Sequence, residues 1–347
     1  MAKMGCKYGT HRVIEPKGVL PQPAKKIDNN MDEIYDNEIL IDVQSLNVDS
    51  ASFTQIATEA GHDPEKIKAK IASIVAERGK QQNPVTGSGG MLIGTVEKIG
   101  PALEGKTDLK VGDKIATLVS LSLTPLRIDE FIDVKMNIDR VDIKGKAILF
   151  ESGIYAKLPS DMSEALALAA LDVAGAPAQV AKLVKPGDTV LILGAAGKSG
   201  LMCCYEAVKR AGVTGRVLAN VRSEAAAAKV RSLNLPVEIV LADATKPMDV
   251  LNATLEATSG KEVDIAINCV NIENTEMSTI LPVRDDGTVY FFSMATSFTK
   301  AALGAEGIGK DVNMIIGNGY SKGHAEITLS VLRESKELRE FFEKTYI

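Results

Sequence analysis

The apolar pattern changes character near the middle of the chain. From Pro186 onward, short β-prone runs alternate with amphipathic stretches: strands are predicted at 189–193, 217–221, 237–241, 263–270 and 288–292. Between them, 201–210, 224–233 and 249–258 space their apolar residues as helices do. Strands alternating with helices over short connections predict a doubly wound parallel sheet. The first half reads differently. Residues 38–48 alternate as a half-buried strand, 92–100 form another, and 109–119 turn at Val111-Gly112-Asp113 into a third. One helix is signalled there, with Asp63 as N-cap, Pro64 at its first position and Gly79 as its stop. Residues 3–30 are rich in Gly, Pro and charge and read as loop with short strands. An alanine-rich helical stretch covers 162–183, broken near Gly175-Ala176-Pro177, and a charged helix covers 327–342.

The strongest local feature follows 189–193. Gly194-Ala195-Ala196-Gly197-Lys198-Ser199-Gly200 joins a strand to a helix start, the geometry that seats a dinucleotide pyrophosphate on unpaired helix N–H groups. The spacing is G-x-x-G-x-x-G, with Ala196 where a close-approach glycine usually sits. Gly197-Lys198-Ser199 ends like a P-loop, but Ile192 stands where that motif needs its first glycine. A turn that binds nothing is the plainer alternative.

Composition adds limits. The chain has 347 residues, enough for two domains, with 45% hydrophobic and 24% charged residues and a net charge of −5. No basic block points to nucleic acid or an anionic membrane. Cys6, Cys203, Cys204 and Cys269 show no CxxC spacing, which suits reduced, cytoplasmic usage. No apolar run is long enough to span a bilayer, and the N-terminus lacks a signal-like apolar region.

The order of these features (38–43, the 92–100 strand, the Lys110-Val-Gly-Asp113 turn, Val184-Lys-Pro-Gly-Asp188 and the glycine turn) resembles the medium-chain dehydrogenase/reductase superfamily. The resemblance implies an α/β protein: a GroES-like, mostly β catalytic domain over 1–165, completed by 318–347, and a Rossmann domain over 166–317, with the active site in the cleft between them. The Gly194-Ala-Ala-Gly197 variant is closer to the quinone-reductase branch. Zinc-dependent members carry Cys and His ligands where this chain has Val48-Asp-Ser-Ala-Ser-Phe53 and Thr86-Gly-Ser-Gly-Gly90, so no catalytic metal is expected. Two longer segments, 5–23 and 83–94, are similar to an amine-oxidising branch that acts in lysine fermentation. They imply oxidative deamination of a small 3,5-diamino acid to its 3-oxo acid and ammonia, with NAD as hydride acceptor. A homodimer is implied as well, through the sheet edge at 288–292 and the 294–304 segment.

The superfamily's fold assigns Gly194, Ala196, Gly197, Lys198, Ser199 and Gly200 to the cofactor diphosphate, and Asn220, Arg222, Ser223, Asp243 and Cys269 to the rest of the dinucleotide site. Arg222-Ser223 at the end of the second strand suits a 2′-phosphate, which keeps NADP open beside NAD. Removing an amine proton without a metal requires a carboxylate or lysine. Asp172, in an apolar stretch expected to desolvate it and raise its pKa, is the first candidate base, followed by Asp49 and Glu151. Lys7, Tyr8, His11 and Arg12 offer groups for the substrate carboxylate, and Ser50, Thr86 and Ser88 could line the pocket. Two other functions fit the same cleft: a zinc-independent NADPH quinone or enone reductase, and a nucleotide-binding protein without catalysis.

Overall fold

The chain divides after Ser160 into two units, Met1–Ser160 and Asp161–Ile347, in a computed structural model that describes residues 3–317 and 319–347. The first unit contains β1 (Val13–Glu15), β2 (Lys26–Ile27), β3 (Glu38–Asn47), α1 (Ser50–Glu59), α2 (Pro64–Arg78), β4 (Met91–Ile99), β5 (Lys114–Thr117), β6 (Leu126–Lys135), β7 (Arg140–Phe150) and β8 (Tyr155–Lys157). Six of these strands form one sheet in the order β6-β7-β3-β4-β5-β8, every pair antiparallel. Its core gathers Ile41, Val43 and Leu46 of β3 with Leu92 and Val96 of β4 and Val141 and Ile143 of β7.

Helix α2 forms as its signals predict. Asp63 accepts N–H bonds from Glu65 at 2.9 Å and Lys66 at 3.4 Å, and Gly79 closes the helix at φ 71°. Ile67, Ile71, Ile74 and Val75 bury one face. Two elements went beyond the sequence reading. The stretch after β3, assigned no element from the sequence, forms α1, which with the following Ala60 buries Phe53, Ile56 and Ala57 against the same core. Strands β6 and β7 form a long hairpin that adds two strands to the sheet.

The second unit contains α3 (Glu164–Leu171), α4 (Gly175–Leu183), β9 (Thr189–Leu193), α5 (Lys198–Ala211), β10 (Arg216–Val221), α6 (Glu224–Arg231), β11 (Glu238–Leu241), α7 (Pro247–Ala257), β12 (Val263–Asn268), α8 (Glu276–Ile280), β13 (Val283–Phe291), α9 (Phe298–Ile308), β14 (Asn313–Ile316), α10 (His324–Glu334) and α11 (Lys336–Tyr346). Its six strands are all parallel, in the order β11-β10-β9-β12-β13-β14. Ranked along the chain this is 3-2-1-4-5-6, the dinucleotide-binding Rossmann order.

Several boundaries differ from expectation for physical reasons. The break in the alanine-rich stretch falls at 172–174, and Pro177 sits in the first turn of α4, where a missing N–H costs no intrahelical bond. The C-terminal helix is two helices, with Ser335 capping α11 by accepting the Leu338 N–H at 3.2 Å. Residues 319–347, expected to complete the first domain, belong to the second unit, where α10 packs on α3, α4 and α5. Asn318, the first residue of that expected return, lies outside the described residues. Strand β13, expected at the sheet edge, is covered by β14, so the edge is Asn313–Ile316.

One buried charge cluster ties the opening loop to the first sheet. Glu38, fully buried, accepts from Arg12 Nε at 2.6 Å and Nη2 at 2.7 Å, from His11 Nε2 at 2.8 Å and from the Tyr35 N–H at 2.9 Å. Burial alone would raise its pKa, but the Arg12 and His11 bonds and the Tyr35 N–H outweigh it and hold the carboxyl at about 2. Its stabilising contribution is therefore present above the ordinary value of 4.5 and is lost as pH falls from there towards 2. Glu38→Gln leaves the buried Arg12 with only the half-exposed Asp28 carboxylate, 3.7 Å away, and should lower the unfolding free energy by about 3–5 kcal/mol in urea denaturation. The variant should also lose less stability than the parent between those two pH values. An unchanged urea midpoint and acid profile would remove the cluster from the stability of the unit.

Candidate functional site

The carboxyl ends of β9, β10, β11 and β12 enclose a cleft of about 400 Å³. Gly194, Ala196 and Gly197 form its floor at the β9–α5 turn, and Asn220 and Arg222 border it after β10. Asp243 and Thr245 close it after β11, and Cys269 and Asn271 after β12. It lies outside the strand ends at the point where the chain order of the sheet reverses, where open α/β sheets bind ligands.

Steric fit explains the glycines. Gly194 adopts φ 75°, and a Cβ there would come within 3.1 Å of the Cys269 carbonyl carbon. At Gly200 a Cβ would stand 2.2 Å from the Gly194 oxygen and 2.8 Å from the Ala195 Cα, so only glycine lets α5 pack this closely on the turn. Gly197 is the helix N-cap and carries no side-chain cap, and the first helical N–H bond runs from Leu201 to the Gly197 oxygen at 2.9 Å. The N–H groups of Lys198, Ser199 and Gly200 thus lack intrahelical acceptors, and an anionic diphosphate fits that donor set.

Other expected cofactor residues have more specific surroundings. Lys198 is not part of the cleft lining; its Nζ lies 2.9 Å from Asp172 Oδ2. Ser199 and Gly200 sit in the first turn of α5 behind the lining, and Ser223 caps α6 by accepting the Ala226 N–H at 3.3 Å. The buried Asn220 amide donates to the Val240 and Ala242 carbonyls, at 3.2 and 3.1 Å, so its NH₂ group is committed to joining β10 to β11. Asp243 makes a turn with the Thr245 N–H at 2.9 Å and hydroxyl at 2.8 Å. Those two bonds, helped by nearby Lys246 and Arg222, hold its carboxyl below the usual range. The sequence reading missed Thr245, Ala226 and Asn271, which border the cleft without carrying a motif.

The candidate bases are separately placed. Asp172 caps α3, but its side chain is 58% exposed and paired with Lys198, so its apolar neighbours in sequence do not desolvate it as expected. In the first unit, Asp49 Oδ1 accepts the Ser52 N–H at 3.3 Å at the start of α1, and Ser50 bonds Asp139 at 2.6 Å. Exposed Glu151 accepts from the buried Asn37 amide at 2.9 Å. Ser52, fully buried, holds Ser88 Oγ at 2.8 Å and also bonds the Thr86 hydroxyl, so these three hydroxyls stand together. Among the described residues no group of three or more His, Cys, Asp or Glu is placed to hold a metal.

Arg12 requires a correction. It was a candidate for the substrate carboxylate, yet its guanidinium is buried and its five N–H donors are spent on Glu38 and on the carbonyls of Asp28, Asn30 and Glu33. His11 is turned to Glu38 through Nε2 and stacks at a tilt on Tyr35, with ring centroids 4.3 Å apart. Lys7 and Tyr8 remain at the surface, the ammonium 4.8 Å from the phenol ring centre. Tyr8 also borders a smaller, mostly apolar hollow of about 210 Å³ with Leu20, Phe150 and Ser152.

An antiparallel β unit followed by a 3-2-1-4-5-6 sheet with a glycine turn after its first strand defines a medium-chain dehydrogenase/reductase architecture. The solved structure of a mycobacterial quinone oxidoreductase shares that fold, with a TM-score of 0.51 at 18% identity over 93% of this chain and 84% of the other. Sequence comparison is sharper. Residues 11–159 match the model of the L-erythro-3,5-diaminohexanoate dehydrogenase N-terminal domain. The L-erythro-3,5-diaminohexanoate dehydrogenase of Acetoanaerobium sticklandii is 75% identical over 99% of both chains. That of Fusobacterium nucleatum subsp. nucleatum is 74% identical over 99% of this chain and 100% of its own. The chain belongs to the L-erythro-3,5-diaminohexanoate dehydrogenase family.

The glycine turn yields a direct test. Gly200→Ala must push α5 off the turn, and should weaken binding of a nicotinamide dinucleotide at least about tenfold, roughly 1.4 kcal/mol, in a fluorescence titration. Unchanged affinity with an intact circular dichroism spectrum would detach the turn from cofactor binding.

Proposed function

We infer that this chain catalyses NAD-dependent oxidative deamination of L-erythro-3,5-diaminohexanoate to 5-amino-3-oxohexanoate and ammonia. The observation that carries the reading is the 75% identity, end to end, to a dehydrogenase of that name. The bound dinucleotide supplies the hydride acceptor, and the protein supplies orientation and proton handling. The C3 ammonium must lose a proton before hydride leaves the carbon. Water then adds to the resulting iminium, and ammonia departs as the carbonyl forms.

Asp172 is the first choice for the proton acceptor. It sits beside Lys198, which is at the first position of α5 next to the glycine turn, with Lys198 Nζ 2.9 Å from its Oδ2. Asp49 and Glu151 are the alternatives on the first unit. The Ser52–Thr86–Ser88 hydroxyls and the Ser50 hydroxyl suit hydrogen bonds to a polar substrate, and exposed Lys7 suits its carboxylate. Arg12, spent on Glu38, has no part in this reading.

The choice of NAD rests on charge balance in the cleft. Arg222 alone would favour a 2′-phosphate, but the Asp243 carboxylate feels its charge and lines the same cleft. A phosphate of nearly two negative charges would have to sit beside that carboxylate, whereas an uncharged ribose hydroxyl would not. A homodimer is proposed through the β14 edge, where the flanking Met294, Phe298 and Leu303 are 86%, 68% and 63% exposed.

With L-erythro-3,5-diaminohexanoate, NAD should be reduced in step with ammonia release, at least about tenfold more efficiently than NADP by kcat/KM. Asp243→Asn should narrow that preference. A preference for NADP would refute the charge-balance argument, and no turnover of this diamino acid would refute the substrate. Asp172→Asn should lower kcat by about a hundredfold or more with the fold retained. Near-parental turnover would exclude Asp172 as the base.

A further inference from the structure

We propose that Cys269 is a site of oxidative modification in the cofactor cleft, and that Cys203 is the thiol that resolves it into a disulfide. The two sulfurs lie 3.9 Å apart, one at the end of β12 and the other one turn into α5. Closing them to the disulfide length of about 2.05 Å requires a movement of roughly 2 Å shared between two side chains. Cys204, on the next position of α5, is fully buried, and it is the Cys203 sulfur that meets Cys269.

Accessibility sets the order of events. Cys269 is partly exposed and lines the cleft, whereas Cys203 is fully buried. Burial also pushes the Cys203 and Cys204 thiols well above the usual range, so neither competes to react first. Hydrogen peroxide reaching the cleft meets Cys269. The Cys269 sulfur attacks the peroxide oxygen, an S–O bond forms as the O–O bond breaks, and water leaves with the thiol proton. The Cys203 sulfur then displaces the hydroxyl of the sulfenic acid: the S–S bond forms, the S–O bond breaks, and the Cys203 proton departs in a second water. The thiols supply two electrons and hydrogen peroxide accepts them.

The bond would reach the cofactor seat through packing. Gly194 lies so close to Cys269 that an added Cβ would meet the Cys269 carbonyl carbon and oxygen at 3.1 and 3.2 Å, and the Cys269 N–H donates to the Leu193 oxygen at 3.0 Å. Drawing Cys269 towards α5 therefore strains the floor on which the diphosphate rests. This effect on binding rests on the dinucleotide reading of the cleft; formation of the disulfide does not.

Stoichiometric hydrogen peroxide added to the reduced, full-length chain tests the proposal by intact mass and non-reducing peptide mapping. The expected product loses about 2 Da, joins the Cys269 peptide to the peptide of α5, and reverts with dithiothreitol. Cys204→Ser should behave as the parent. Cys203→Ser should stop at the sulfenic acid, about 16 Da heavier and trapped by dimedone on Cys269. The oxidised parent should bind reduced nicotinamide dinucleotide at least about fivefold more weakly, and saturating dinucleotide should slow the oxidation by a similar factor. No disulfide in the parent, or one that survives Cys203→Ser, overturns the proposal. A disulfide that forms at the same rate with or without dinucleotide upholds the thiol pair and counts against the cleft as the cofactor seat.

Discussion

The close approach of α5 to the end of β9 is the constraint on which the second unit depends. Gly200 leaves no room for a methyl group against the Gly194 oxygen, and Gly194 leaves little against Cys269. Two contacts of this kind fix the helix N-terminus relative to β9 and β12 at once. The unpaired N–H groups of α5 then face a cleft whose other walls are the turns after β10, β11 and β12. An anion site of this type requires no charged side chain. This is consistent with Lys198 turning aside to Asp172 while the turn keeps its donors.

The first unit is held by a different device. A fully buried carboxylate with a buried guanidinium is tolerable only when both are almost completely hydrogen-bonded, and the Arg12–Glu38 pair meets that condition. The pair joins residues 11–12 to the start of β3, and Arg12 extends the tie to the 28–33 loop through its carbonyls. Lys80 works in the same region: fully buried, it donates to the Pro21 and Gln22 carbonyls at 2.6 and 2.9 Å, and burial draws its pKa down to about 8. Long irregular segments such as 3–30 carry many polar backbone groups, and these two cations satisfy several of them. The same saturation removes Arg12 from substrate recognition, because a donor committed to a buried carboxylate is not offered to a ligand.

Much of the architecture was legible because it is written in local pattern. The parallel strands are short apolar runs, α2 carries its own start and stop, and the glycine turn sits between a strand and a helix. Helix α1 was legible in principle, since Phe53, Ile56, Ala57 and the following Ala60 recur at helical spacing; its Ser and Thr content weakens the helical signal. The β6–β7 hairpin was harder, because β6 buries little beyond its ends and charges alternate along its exposed face. The site was less legible than the fold. Which partner a side chain finds across the chain (Asn220 with β11, Lys198 with Asp172, Arg12 with Glu38) depends on tertiary approach that no local spacing encodes.

That difference explains why the residue types at the candidate site were easier to anticipate than their roles. A carboxylate in an apolar run is desolvated only if its helix turns that side inward, and Asp172, at the end of α3, is turned outward to Lys198. A serine following a strand meets other hydroxyls only if loops converge on it, and Ser52 does so because Asn83 folds the 83–88 loop back over it. Asn83 donates to the Ser52 carbonyl at 3.2 Å and accepts the Val85 N–H at 2.8 Å. The loop brings Thr86 and Ser88 to one hydroxyl, a polar cluster held in place by a buried amide. Each hydroxyl of this cluster can donate or accept a hydrogen bond, so the three are orientable in a way that a committed guanidinium such as that of Arg12 is not. The second unit thus presents unpaired backbone donors at its glycine turn, and the first unit sets three hydroxyls together through a buried amide.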